Sequence, residues 1–443
     1  MDSKDEFDNG QTLSLEAFFA RNPSVRYLRY LFIDLSGVTR VQTVTKAFAL
    51  GNSPSGGLAI QSPMTSATSV DSTIFPDLIW AGRDIVRPDL SDSSLRVCTY
   101  DLTSAQVLCY VEEEPLPVHD RFARCPRRQL DNALSTAKVE FGLDFLVGFE
   151  IEFYMLEMEN GIPAKPVPRL GSSYATAEIY NKYYKLLEEI VGYIEDAGIV
   201  VYRFHPEGTA GIYEISTEPL PPMEAVDALV YCQETIRAVC ARNGLWATVY
   251  PKPFEKLEPV GRHIHLSISK PGLGPSFLAG LMAETPALTA FMMPSYESYT
   301  RTEMCGYGWV TWGLQNRTAA YRQIRDGYWE IRQPDGCMNP YLGLASIIYA
   351  GLEGIRKELP LVVKPKPDIT FGVTKEQREE LGVTMSYPAS LSEALDRLAE
   401  SQVLKEAFPA LLINRYLDIK RREEKNFAKM SVGERKQAGM AAY

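Results

Sequence analysis

The chain has 443 residues, 45% of them hydrophobic and 23% charged, with a formal net charge of −10. That length accommodates more than one domain and that mixture buries a large core, while the acidic balance argues against a strongly basic nucleic-acid face. No apolar run approaches the roughly 18 residues of a membrane span, and the N-terminal MDSKDEFDNG lacks the charged-then-apolar order of a secretory signal.

Elements follow in chain order. Residues 13–20 have the pattern of a short helix. Tyr27 to Asp34 reads as a strand, with Val41 to Ala47 as its partner across a turn at Gly37. Residues 51–94, rich in Gly, Ser, Pro and Asp, read as long loops. Arg96 to Val111 returns to strand character, and Pro115 and Pro117 mark a domain boundary. Helical patterns then cover 127–142, 176–197, 221–243, 276–291 and 340–358, and a final helical region covers about 391–438. Cys98, Cys109, Cys125, Cys232, Cys240, Cys305 and Cys337 are dispersed without C-x-x-C spacing. They read as reduced thiols of an intracellular, cytoplasmic protein.

Between the helices lie strands that carry chemistry. In FLVGFEIEFY (Phe145 to Tyr154), Phe145, Val147, Phe149, Ile151 and Phe153 alternate with Gly148, Glu150 and Glu152. Alone, this is an amphipathic strand with a solvated polar face. Two adjacent same-face carboxylates repel each other, however, and a bound cation removes that cost. Glu207 and Glu214 bracket a Gly-containing loop; taken alone they read as surface acids. In HIHLSIS, His263, His265 and Ser267 share one face, a candidate metal or phosphate site. In YWEIRQ (Tyr328 to Gln333), Glu330 and Arg332 share one face, with Asn316, Arg317 and Arg322 just upstream. Arginines near carboxylates suit phosphate handling, the alternative being ordinary surface ion pairs. Five Glu and one His suit Mg²⁺ or Mn²⁺. There is neither a Gly-Lys dipeptide nor a G-x-G-x-x-G, so a bound nucleotide must be held by metals and arginines.

The order of these motifs resembles the glutamine synthetase family. GFEIEF from Gly148 to Phe153, Glu207 with Glu214 around Ala210-Gly211, and TVYPKP from Thr248 to Pro253 followed by His263 and His265 come first. Asn316-Arg317 to Arg322, Glu330 to Asp335, and Asn339 to Leu342 complete the series. The resemblance runs from about residue 25 to the C-terminus. It implies an α+β fold, with an N-terminal β-grasp domain over 1–115 and a catalytic domain over 116–443 built on a curved antiparallel sheet with flanking helices. It implies one metal held by Glu152, Glu207 and Glu214, and a nucleotide-associated metal held by Glu150, His263 and Glu330. Arg317 and Arg322 correspond to phosphate-binding arginines, Arg332 to an arginine near the transferred phosphate, and His265 to a nucleotide-site histidine. The implied activity is ATP- and Mg²⁺- (or Mn²⁺-) dependent ligation of a small-molecule acid to an amine through an acyl-phosphate. Arg317, Arg322, Arg332 and Glu330 are its catalytic residues, in a ring-based homo-oligomer with no nucleic-acid or membrane partner.

Departures gather in the other half of the implied site. Glu258-Pro259-Val260-Gly261 stands where the family has a flexible Asn-Gly-Ser-Gly loop. The arginine expected to grip glutamate falls near Ser298, with Arg301 three residues away. No acid occupies Cys305 to Gly308, where the family's ammonium-site glutamate lies. The small-domain Asp-Gly-Ser-Ser motif is replaced by AIQSPMTS from Ala59 to Ser66, and the Gln expected before Glu214 is Ile212. Tyr296, Tyr299, Tyr307, Trp309 and Trp312 crowd the segment expected to cover the substrate, either as packing or as an apolar pocket wall. These departures favour an altered acid, an altered amine or both. A true glutamine synthetase and a catalytically silent scaffold or regulator are the alternatives.

Overall fold

The computed structural model describes residues 14–51, 57–69, 83–114, 121–169, 174–304, 308–367 and 372–443. Helix α1 (Leu15–Arg21) starts where the Ser14 side chain accepts from the Ala17 N–H, and it buries Leu15, Phe18 and Phe19. Strands β1 (Tyr27–Ile33) and β2 (Thr39–Thr45) form the predicted antiparallel pair. Gly37 turns the chain between them at φ +92, a conformation that a side chain disfavours. A short helix, α2 (Lys46–Gly51), follows.

The region read as loops contains two strands, β3 (Leu58–Gln61) and β4 (Arg83–Pro88), which pair with each other. Their turn-forming neighbours masked the apolar Leu58, Ile60, Ile85 and Val86. The next predicted strand divides into β5 (Arg96–Val97) and β6 (Ser104–Glu114), because Asp101 caps a turn through Thr103 and Ser104. The small sheet has the order β2-β1-β6-β4-β3, with β5 on β6 and β1 parallel to β6. Pro115 and Pro117 lie outside the described residues.

Helix α3 (Pro126–Thr136) continues into a wide turn closed by left-handed Gly142. Then comes β7 (Phe145–Glu159), the 15-residue strand around which the second sheet is built. Its apolar side chains, Phe149, Ile151 and Phe153 among them, are buried in the larger core. The remaining strands are β8 (Ile162–Pro166), β9 (Val201–Pro206), β10 (Ile212–Thr217), β11 (Leu245–Thr248), β12 (Ile264–Ile268), β13 (Trp312–Leu314), β14 (Tyr321–Arg325) and β15 (Tyr328–Ile331). They run in the order β13-β14-β15-β12-β7-β10-β9, with β8 and β11 also on β7, antiparallel except for β13 beside β14.

The flanking helices are α4 (Lys182–Asp196), α5 (Pro222–Arg242), α6 (Gly274–Met292) and α7 (Pro340–Arg356). Helix α4 begins six residues after its predicted start, where the Asn181 side chain caps Tyr183. Helix α5 packs on β7 and β11, while α6 packs on α7. Helix α8 (Lys375–Leu381) was not predicted, and the final helical region after it is interrupted rather than continuous: α9 (Leu391–Glu400), α10 (Gln402–Ala407), α11 (Ala410–Lys429) and α12 (Val432–Ala442). Caps at Ser401 and Ser431, and Pro409, set those breaks.

Polar contacts join the small sheet to the rest. The Asn339 side chain donates to the Asp34 carbonyl at 2.9 Å, and Lys420 to the Ser36 carbonyl at 2.9 Å. No helix among the described residues is long and apolar enough to cross a membrane. The six described cysteines are buried and free.

Candidate metal and phosphate site

Strand register assembles the site in rows. Glu152 on β7 stands opposite Glu214 on β10, which stands opposite His205 on β9. One step along, Glu150 faces Ser216 and Ser216 faces Arg203. On the other side of β7, Gly148 faces His265 on β12, His265 faces Glu330 on β15, and Glu330 faces Arg322 on β14. Alternation keeps these side chains on one face, opposite the core residues.

The acids are not the solvated set that each strand read alone suggests. Glu150, Glu152, Glu214, Glu330 and His263 are buried, and Glu207 is partly so. Two groups of three donors converge, Glu152 with Glu207 and Glu214, and Glu150 with His265 and Glu330; within each, the atoms lie within 4.8 Å of one another. His263 sits between the groups, its Nδ1 3.0 Å from Glu150 and 3.6 Å from both Glu152 and Glu330. Both histidines therefore reach the second group: His265 Nε2 is 3.1 Å from Glu150, and its Nδ1 is 2.7 Å from the Tyr328 hydroxyl.

Electrostatics separates the groups. Burial would raise the Glu150 carboxyl, but hydrogen bonds with His263 and His265 hold it well below the usual range. Burial also opposes ionisation of Glu330, yet Arg332 holds it low. Burial and Arg332 would lower the His263 imidazole; the carboxylates around it raise it instead. In the other group, burial raises Glu152, with the Glu214 charge adding to it. Glu207 is pushed up to about 7 by burial and by Glu152 and Glu214. Its Oε2 is buried without a hydrogen-bond partner, and the His205 Nε2 lies 3.3 Å from Glu214. An orphaned carboxylate oxygen among repelling carboxylates is what a hard divalent cation satisfies, so the residues fit Mg²⁺ or Mn²⁺.

The three predicted arginines stand beside these acids. Arg322 reaches Glu330 at 2.6 Å, and Arg332 pairs with its other oxygen. Arg317 and Arg332 line the cavity together with Glu150, Glu152, Glu207 and Glu214. Three contributors were not legible in the sequence. Arg203 donates to Glu150 at 2.7 Å, and Tyr174 stacks edge-on to His205. Buried Arg169 pairs with Glu178 at 3.0 Å and donates to the Glu207 carbonyl. For Arg203 a signal existed, its two-residue spacing from His205; for Tyr174 and Arg169 none did.

The expected substrate segment divides. Ser298 is buried and bonded to Ser295, whereas Arg301 lines the cavity and donates to the Gln333 and Arg332 carbonyls at 2.8 and 3.2 Å. The aromatics do not form a wall of this cavity. Tyr296 packs on Phe427, Trp309 lies under the Arg378 guanidinium, and Trp312 donates to the Val363 carbonyl. Tyr299 is partly buried and packs against the larger core. Of the two readings, packing holds for these residues: Phe427, Arg378 and Val363 take up their surfaces. Cys305 and Tyr307 lie outside the described residues.

Comparison with known proteins gives the family. The model of the glutamine synthetase catalytic domain matches residues 123–436, and the chain belongs to the glutamine synthetase family. Protein fluG of Emericella nidulans is 32% identical over 436 residues, covering 94% of this chain and 48% of its own, so the chain spans about half of that relative. The glutamine synthetase of Methanocaldococcus jannaschii is 27% identical, covering 92% of this chain and 94% of its own. The glutamate–isopropylamine ligase of a Pseudomonas species is also 27% identical, covering 94% and 95%. Among solved structures, GmaS without ligand superposes with a TM-score of 0.81 at 23% identity, covering 95% of this chain and 97% of its own, a likeness of fold.

Proposed function

We propose that the chain is an ATP- and divalent-metal-dependent ligase that joins a carboxylic acid to an amine, with an acid or amine other than glutamate and ammonium. The observation that carries this reading is the convergence of two donor triads beside Arg317, Arg322 and Arg332. A catalytically silent scaffold has no need to keep all six carboxylate and imidazole ligands. Similarity to both a glutamine synthetase and a glutamate–isopropylamine ligase supports an amide-forming activity while leaving the amine open.

In this reading Glu152, Glu207 and Glu214 would hold one cation and Glu150 and Glu330 the other, with His263, 3.0 Å from Glu150 and 3.6 Å from Glu330, as its imidazole ligand in place of His265, the third member of the converging triad, which stands at the nucleotide. Bound cations would neutralise the phosphate oxygens. Arg317, Arg322 and Arg332 bind the transferred phosphoryl group, and Glu330 keeps the last two aimed at it. The substrate carboxylate attacks the γ-phosphorus and ADP leaves. The amine nitrogen then attacks the acyl carbon, phosphate departs, and the nitrogen loses a proton. We also propose the division of the chain at about residue 115 and assembly into a ring.

A plain glutamine synthetase is the second reading, favoured by Arg301, which offers a cavity cation although Ser298 does not. A panel of acids and amines with Mg²⁺-ATP, followed by phosphate release and amide mass together, tests both. Coupled release and amide formation supports the ligase. Glutamine formation unmatched by any other pair restores the second reading, and no coupled activity supports the scaffold.

A further inference from the structure

The carboxylates of the second donor group are already crowded with positive charge. Glu330 accepts from Arg322 at 2.6 Å on one oxygen and pairs with Arg332 on the other. Glu150 Oε1 accepts from Arg203 at 2.7 Å and lies 3.1 Å from His265 Nε2, while its Oε2 meets His263. Two carboxylates thus face three guanidiniums. The three arginines differ in freedom and in direction of approach. Arg322 and Arg332 stand on the β14–β15 side, their side chains 13% and 14% exposed. The Arg203 side chain is 52% exposed and lines the cavity from β9, across β7 from the other two. Its Nε donates to Ser216 Oγ at 3.3 Å, which aims the guanidinium at Glu150.

We propose that Arg203 binds the phosphates that remain with the nucleotide, releasing Glu150 to the cation that arrives with them. This rests on the ligase reading and adds a substrate-contacting residue to it. A divalent cation needs the Glu150 oxygen that Arg203 occupies, and alone it would add to a surplus of positive charge. A polyphosphate reverses that balance, and its oxygens accept the paired N–H groups of a guanidinium as a carboxylate does. Arg322 and Arg332 grip the transferred phosphoryl group from the β14–β15 side. The β9 side of Glu150 is left for the neighbouring phosphates. With half its side chain in solvent, Arg203 makes the exchange by rotating its stem, without moving the strand.

Calorimetry with Mn²⁺ alone and with Mg²⁺-ADP tests the exchange in the wild type and in Arg203→Gln. ADP carries only the phosphates that stay behind, so it reads this contact without the transferred group. Arg203→Gln should weaken Mg²⁺-ADP by about tenfold or more, the loss expected for a charge-assisted hydrogen bond. Mn²⁺ alone should bind the same variant at least as tightly as the wild type, because a competitor for Glu150 is gone. An arginine that only props Glu150 in place gives the opposite sign for Mn²⁺. Retained Mn²⁺ binding also shows that the variant is folded. A loss for ADP below about threefold, or weaker Mn²⁺ binding by the variant, overturns the assignment. A wild type that binds Mn²⁺ but not Mg²⁺-ADP overturns the ligase reading and this assignment together. ADP binding that is indifferent to Arg203→Gln overturns this assignment alone.

Discussion

The backbone N–H of Gly261 donates to the Glu152 carboxylate at 2.6 Å, tying the loop before β12 to the centre of the acidic face on β7. A Cβ at 261 would come within 2.4 Å of Arg301 Nη2 and 2.9 Å of His263 Nε2. Gly261→Ala should therefore disturb Glu152, His263 and Arg301 together. The expected result is a loss of about 10–100-fold in Mg²⁺ affinity, the usual effect of disturbing the groups that orient metal ligands. Titration of Mg²⁺ against phosphate release checks this, and unchanged affinity refutes it.

Glu152→Ala and Glu330→Ala each remove one member of a donor triad. Each should reduce ATP-dependent ligation by about a hundredfold or more, since the phosphate charge is no longer neutralised. Circular-dichroism melts should show that the fold persists. Wild-type rates in either variant at limiting Mg²⁺ would remove the ligand assignment.

Arg127 joins three elements from a fully buried position. Its guanidinium meets Asp227 of α5 at 2.5 Å, Asp89 at 2.5 Å and the Tyr341 hydroxyl of α7 at 2.6 Å. Arg127→Met leaves buried Asp227 uncompensated and should cost about 3–5 kcal/mol in urea unfolding. Adding Asp227→Asn should recover part of the loss. A double variant no more stable than the single one contradicts this account.

Asp84, beneath the 62–66 turn, accepts from Ser62 Oγ at 2.9 Å. Burial pushes its carboxyl from 3.8 up to about 6. Because the folded value is the higher one, its stability contribution is fully present below about 3.8 and is lost as pH rises through about 6. Asp84→Asn removes that loss. The stability difference, variant minus wild type, should become more positive from pH 4 to pH 8, by on the order of 1–2 kcal/mol. A difference independent of pH excludes the mechanism.

Assembly is the fifth expectation. Light scattering at assay concentration should show a ring-based oligomer, with activity falling on dilution into monomers. A fully active monomer rules it out.

Local patterning carried much of this protein. Two-residue alternation in Phe145 to Tyr154 and in His263 to Ser269 exposed both the core face and the chemical face of β7 and β12, because a strand cannot place neighbouring side chains on the same side. The order of the motifs around Glu150 and Glu152, Glu207 and Glu214, His263, Arg317 and Glu330 was sufficient for the family and the α+β fold. What alternation cannot convey is register between strands. Only pairing across the sheet sets Glu214 opposite Glu152, and His265 between Gly148 and Glu330, thereby burying acids that alone read as surface groups. Distance along the chain likewise hid Arg169 beneath Glu207 and Glu258 against Gly208. Tyr296 and Trp312 left packing and a substrate wall both open until Phe427 and Val363 were seen to take them up. Periodicity determines which way a side chain faces; only the packed structure decides what it meets there, since that depends on contacts between segments tens to hundreds of residues apart.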